Sequence, residues 1–101
     1  MSPFRRARFA DVIDRQLDLF EREHRDVIDE AEEKLEAYNR AERDEAEEAF
    51  GEYMDAHALL AEILADMRDH YARTLDDPDA YAAEFNREVK KRMPVTATEL
   101  D

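Results

Sequence analysis

The sequence has no cysteine and no tryptophan, and among its 101 residues there are one serine, one glycine and three prolines. Without cysteine, disulfides, thiolate catalysis and cysteine-based zinc sites are excluded. The lone serine, Ser2, argues against serine nucleophilic catalysis, and the lone glycine, Gly51, argues against a glycine-rich phosphate loop. So few turn-forming residues favour helices over sheets. The sequence therefore predicts an all-α protein and shows no catalytic constellation.

Long hydrophobic runs are also missing. No apolar stretch approaches the about 18 residues that a membrane span requires. The arginines near the N-terminus are followed by no hydrophobic segment of the kind found in secretory signals. We therefore expect a cytoplasmic protein that does not span a membrane.

Acidic residues outnumber basic ones by 28 to 15, which gives a net charge of −13. Such a chain repels the phosphate backbone, so general nucleic-acid binding is not expected. The acidity is typical of a salt-adapted cytoplasm or a coding bias. It is also compatible with an acidic mimic that binds a basic protein surface, and composition does not separate these interpretations.

Apolar residues recur at alternating spacings of three and four, which places them on one stripe of a helix. The spacing predicts a helix over about 4–38 and a second over about 44–75, joined by a turn at about 39–43. Folding the chain there brings the two stripes together as a long antiparallel hairpin. The alternative is one continuous helix through 39–45 that pairs with another copy. A slip of about half a heptad also remains open, since such a stripe aligns nearly as well in neighbouring registers.

Folding the chain at this turn predicts which residues of the two helices face each other across the hairpin. Ala31 is expected opposite Phe50, and His24 opposite His57. Gly51 lies inside the second helix, where glycine costs about 1 kcal/mol relative to alanine. We interpret it as a place where another backbone approaches closely, near Ala31.

The C-terminal part begins with a helix start signal. Asp77 can cap a helix that has Pro78 at its first position, and Pro94 ends that helix. The sequence thus predicts a third helix over about 78–92. Residues 1–93 are expected to form a single domain, and residues 94–101 a flexible tail.

Apolar residues beside the main stripe indicate self-association. Burying one of them is worth about 1.5–3 kcal/mol, so we expect the third helix or a second hairpin to cover them. Dimerisation into a four-helix bundle with coiled-coil packing would cover most of these apolar residues. We predict a homodimer or higher oligomer whose interface comprises Val12, Leu17, Leu19, Phe20, Leu59, Leu60, Ile63, Leu64 and Met67.

Charge is distributed unevenly along the hairpin, because residues 40–55 hold seven acids against two arginines. At the other end, basic residues cluster near both termini. They either form a pole that docks a partner or complement the dipole of the third helix. The members of this basic pole are Arg5, Arg6, Arg8, Arg87, Lys90, Lys91 and Arg92.

Glu21 and His24 have the Glu-x-x-His spacing that di-iron bundles of the ferritin-like class use, and His57 is expected in the same layer. The layout resembles small two-helix ferritin relatives with a short C-terminal helix. That resemblance covers layout only and implies an iron or zinc site between hairpins. The second helix lacks a Glu-x-x-His, so these histidines also fit as packed core residues. Facing histidines without metal predict weaker assembly below about pH 6.

The sequence thus favours a small acidic helical hairpin that self-associates and serves as an assembly or adaptor module, without a cofactor. The alternatives are the ferritin-like metal bundle and the acidic mimic.

Overall fold

The computed structural model describes residues 7–100, and every regular element in that part of the chain is a helix. The five helices are α1 (Ala10–Glu23), α2 (Arg25–Arg40), α3 (Ala46–Ala72), α4 (Pro78–Arg92) and α5 (Pro94–Ala97). The all-α fold and the long antiparallel hairpin with a short C-terminal helix are thereby confirmed. The molecule is elongated, with extents of 56 × 29 × 22 Å. Within residues 7–100 there is no helix long and apolar enough to cross a membrane.

The first arm of the hairpin is interrupted at His24, whose φ of −116° and ψ of 32° depart from helical values. Backbone hydrogen bonds still cross the interruption. The His24 N–H donates to the Phe20 carbonyl at 2.9 Å, and the Ile28 N–H donates to the His24 carbonyl at 3.0 Å. α1 and α2 therefore form one broken arm rather than the single helix expected. The predicted start near residue 4 lies outside the described residues.

The turn lies between Arg40 and Ala46, slightly later than the sequence predicts. Because the turn lies later, the residues that face each other across the hairpin also shift. The Phe50 ring packs 5.3 Å from the Tyr38 ring, whereas Ala31 is expected opposite Phe50. The slip is about one heptad, and Ala31 rather than His24 lines the same cavity as His57. A heptad stripe aligns well again after seven residues, so the periodicity alone does not select the register.

α1, α3 and α4 form a three-helix base around the hydrophobic core. α4 contributes three apolar residues at spacings of four, each fully buried. The Asp77 side chain caps α4 by accepting a hydrogen bond from the Ala80 N–H at 3.2 Å. The fully buried core residues are Ile13, Leu17, Phe20, Leu60, Leu64, Tyr81, Phe85 and Val89, none more than 2% exposed.

Polar contacts fix α4 against the first arm. The Arg92 guanidinium donates to Asp18 at 2.9 Å and to Asp14 at 3.3 Å. In the middle of α4, the Glu84 carboxylate accepts from the Phe9 N–H at 3.0 Å. α4 is therefore held along its length by both apolar and ionic contacts.

Two further sequence predictions need correction. The segment 94–101, expected as a loose tail, contains α5, and Thr96 within it is only 1% exposed. Its hydroxyl is held by a histidine of α3, a long-range contact that local signals do not reveal. Gly51 is exposed, and a Cβ there would meet no atom within 4 Å. It therefore does not mark a close approach of another backbone.

Candidate interaction surfaces

His57 joins α3 to α5. Its Nδ1 and the Thr96 hydroxyl are hydrogen-bonded at 2.8 Å, and the Tyr53 ring meets the imidazole edge-on with centroids 4.7 Å apart. Burial lowers the pKa of His57 below its ordinary value of 6.5, and the Glu99 carboxylate partly opposes this shift. The structure therefore favours a neutral imidazole at this junction.

An apolar groove opens beyond this junction, between α2 and α3 and closed at one end by α5. We call it the open groove; its volume is about 210 Å³. Towards the turn, Leu35 is 39% exposed and Phe50 is 46% exposed. Its lining includes Ile28, Glu32, Leu35, Tyr53, His57 and Val95.

Aromatic rings form a continuous series from the hairpin turn to the open groove. Tyr38 and Phe50 are 5.3 Å apart between centroids, Phe50 and Tyr53 are 6.3 Å apart, and Tyr53 reaches His57. Phe50 is exposed and Tyr53 half-buried. The groove therefore continues as an apolar strip towards the turn.

The surroundings of the open groove are acidic. Glu32 lies on its wall. Arg40, at the end of α2, is paired with Glu36 at 3.8 Å. Around the turn the exposed acids are Glu42, Asp44, Glu45, Glu47 and Glu48. A ligand in the groove thus meets an apolar floor with negative charge at its edge and open end.

Four further apolar residues keep accessible surface in the single chain, and we call this set the back patch: Val12, Leu19, Leu59 and Ile63. Leu19 is 39% exposed and Leu59 is 44% exposed. Val12 and Ile63 are half-buried and pack against the core. Each was predicted at the oligomer interface, and each retains accessible surface in the single chain.

The back patch and α4 lie on opposite sides of the molecule. On α1, Asp14 faces α4 because it accepts a hydrogen bond from Arg92. At 3.6 residues per turn, the back-patch residues of α1 lie roughly 140–160° around the helix from Asp14. On α3, Arg68 faces α4 by donating to Asn86 at 3.0 Å, and the back-patch residues there lie roughly 140–180° away. α4 therefore does not cover the patch as expected.

The remaining residues of the predicted interface are inside the chain. Leu17, Phe20, Leu60 and Leu64 are 0–2% exposed, and Met67 is half-buried against them. They pack α1 against α3 and α4. In this fold Leu17, Phe20, Leu60 and Leu64 are not accessible to a second copy, whereas Met67 keeps part of its surface exposed.

The three predicted metal ligands are separated. Glu21 lies 3.9 Å from Arg92, the His24 ring packs 5.3 Å from the Phe20 ring, and His57 contacts α5. Across residues 7–100 no three histidine, aspartate or glutamate side chains gather as a metal-binding group. The iron or zinc site stays a prediction, which elemental analysis of the purified protein tests.

Within the described residues, two members of the predicted basic pole are engaged in contacts with other parts of the chain, and three are exposed on α4. Arg92 is committed to the acids of α1, and Arg8 lies 3.5 Å from Asp77 and stacks on Phe9. Arg5 and Arg6 lie outside the described residues. Three members are exposed on α4, namely Arg87, Lys90 and Lys91.

Comparisons with known proteins give no information about the function of this chain, because no family model, curated protein or solved structure matches it. The exposed surfaces are therefore the basis for inferring a function.

Proposed function

We propose that this protein is a self-associating assembly module that pairs through the back patch and leaves its other surfaces free for partners. The observation that carries the proposal is the exposure of Leu19 and Leu59 on the face away from α4. About 40% of the surface of each leucine is exposed to water. A partner that covers both leucines therefore binds with a favourable free energy, since full burial of such a side chain is worth about 1.5–3 kcal/mol.

The shape of the molecule supports side-by-side pairing. A standard interface buries about 800 Å² on each partner. The broad face, 56 by 29 Å, offers enough area for such a contact. Two hairpins joined in this way give a bundle whose central helices come from both chains.

The edge of the back patch carries charges of both signs. Beside Leu59, a shallow depression is bordered by Lys34, Glu52 and Asp55. Lys34 and Glu52 lie 4.0 Å apart across α2 and α3. A polar rim around an apolar centre is the usual anatomy of an interface.

Light scattering coupled to size-exclusion chromatography tests the proposal. The parent chain is expected as a dimer, and the double variant Leu19→Ser with Leu59→Ser as a monomer of unchanged helicity. Leu35→Ser provides the matched control, because Leu35 is equally exposed but lies on the open groove. That control is expected to remain a dimer. A parent that is monomeric at about 100 µM, well above the micromolar range of moderate affinity, overturns the proposal.

A further inference from the structure

α4 shows how this hairpin binds an amphipathic helix that has a basic last turn. Its apolar residues Tyr81, Phe85 and Val89, at spacings of four, are each 0% exposed. Its last turn carries Lys90, Lys91 and Arg92. The apolar face enters the core, and the terminal cation reaches a row of acids on the first arm.

That row of acids determines where the cation binds. Arg92 lies 2.9 Å from Asp18, 3.3 Å from Asp14 and 3.9 Å from Glu21. The three acids follow one face of α1 at spacings of four and three. The base of the molecule thus combines an apolar floor with an acidic edge, and it is occupied by a helix whose last turn is basic.

The open groove has the same chemistry without an occupant among the described residues. It starts where α4 ends, since Met93 and Val95 line its closed end. Its floor is apolar, with Ile28 and Leu35 on one side and Tyr53 on the other. Glu32 supplies the acidic edge, and the acids of the turn lie at its far end.

We infer that the open groove binds a basic amphipathic helix of a partner protein. One large apolar side chain of that helix enters the 210 Å³ space beside Leu35 and Tyr53. Its lysines or arginines face Glu32 and the turn. This is the helix-in-groove mode of recognition, in which apolar anchors at i and i+4 supply most of the affinity. The inference names the partner for the proposed assembly role and rests on that role, but it does not require the back-patch dimer.

A second copy of the chain fits the open groove poorly. Among residues 7–100 the amphipathic helix with three cations in its last turn is α4, and its apolar face is already buried in its own core. Each copy also carries a net charge of −13, so the acidic edge of the groove repels it. A basic helix of another protein differs on both points, because its apolar face is available for binding and its positive charge is attracted by the acidic edge of the groove.

The probe is a fluorescein-labelled amphipathic peptide of leucine and lysine, about 14 residues or roughly four helical turns long. A peptide of equal composition with its leucines spread evenly around the helix is the control for charge alone. Binding is measured by fluorescence anisotropy in about 150 mM NaCl, where the Debye length is about 8 Å. The amphipathic peptide is expected to bind at least tenfold more tightly than the control, by the worth of one buried anchor.

Two matched pairs of variants locate the peptide. Leu35→Ser is expected to weaken binding at least about tenfold, while Leu59→Ser on the back patch leaves it within about twofold. Glu32→Gln is expected to weaken binding about two- to fivefold, while Glu30→Gln, on the opposite side of α2, has no effect. Far-UV circular dichroism confirms that each variant retains its helices.

Three results would overturn the inference. The first is that the peptide fails to bind at about 500 µM, close to the millimolar limit of measurable affinity. The second is that Leu35→Ser and Leu59→Ser weaken peptide binding equally. The third is that Leu35→Ser, in the absence of peptide, converts a dimer to a monomer, which would assign the groove to a second copy. A loss of dimerisation in the Leu59→Ser variant with peptide binding retained concerns the back patch alone.

Discussion

At the scale of single residues, the environment of His57 favours its neutral form. Its imidazole holds Thr96, which is 1% exposed, and so fixes α5 against α3. Among its neighbours, Tyr53 contacts the ring, and Glu99 is the carboxylate that favours the charged form. Burial outweighs Glu99, so the net effect lowers the pKa of His57.

The lowered pKa predicts a pH-dependent stability. The unfolded chain binds a proton at His57 near pH 6.5, whereas the folded chain binds it only at lower pH. Stability from this residue is therefore present above about pH 6.5 and is lost as the pH falls through the folded pKa. Urea unfolding at about pH 7.5 and 5.5 should show a smaller decrease in the free energy of unfolding for His57→Gln than for the parent chain. His70→Gln, at an exposed position, should behave as the parent; equal pH dependence of His57→Gln and the parent would contradict the prediction.

Sequence patterns identified His57 as unusual but gave it the wrong neighbours. It lies on the stripe, so a position facing the interior was predictable from spacing. Its expected partner was His24, which instead packs on Phe20. The actual partner, Thr96, comes from the segment expected as a loose tail. A hydrogen bond between residues 39 positions apart depends on how α5 docks, and no local signal encodes that.

At the scale of secondary-structure elements, α4 was predictable and the hairpin register was not. Asp77 and Pro78 give a cap and a rigid first position, and α4 spans Pro78–Arg92 as expected. The turn contains neither glycine nor proline, so nothing local fixes its position. A shift of a few residues there moved every layer of the hairpin by about one heptad, and this separated the residues of the predicted metal site.

α4 also offers a test of how elements are joined. Arg92→Met keeps most of the side-chain volume but removes the contacts to Asp14 and Asp18. We expect the free energy of unfolding to decrease by about 1–3 kcal/mol, because hydrogen bonds to charged groups are lost from a partly buried site. Lys91→Met is the control, and its effect should stay within about 0.5 kcal/mol because Lys91 is exposed. Urea unfolding of the two variants measures both values; equal losses would show that the ionic contacts of Arg92 do not hold α4.

At the scale of the whole molecule, the two apolar surfaces face different electrostatic conditions. The back patch is expected to meet an identical chain, and each chain has a net charge of −13. The open groove is expected to meet a cationic helix. Both contacts bury apolar side chains, but the long-range force opposes the first and favours the second.

Salt should therefore change the two affinities in opposite directions. Raising NaCl from about 20 to about 300 mM shortens the Debye length from roughly 20 Å to roughly 6 Å. Repulsion between two acidic chains is then screened, so the dissociation constant of the dimer should fall, as sedimentation equilibrium measures. Attraction of the leucine–lysine peptide to the acids around the groove is screened as well, so its dissociation constant should rise in the anisotropy assay. A dimer that also weakens with added salt would contradict this prediction. It would show that ion pairs between the two chains, formed by residues at the edge of the back patch such as Lys34 and Glu52, hold the dimer together rather than the leucines.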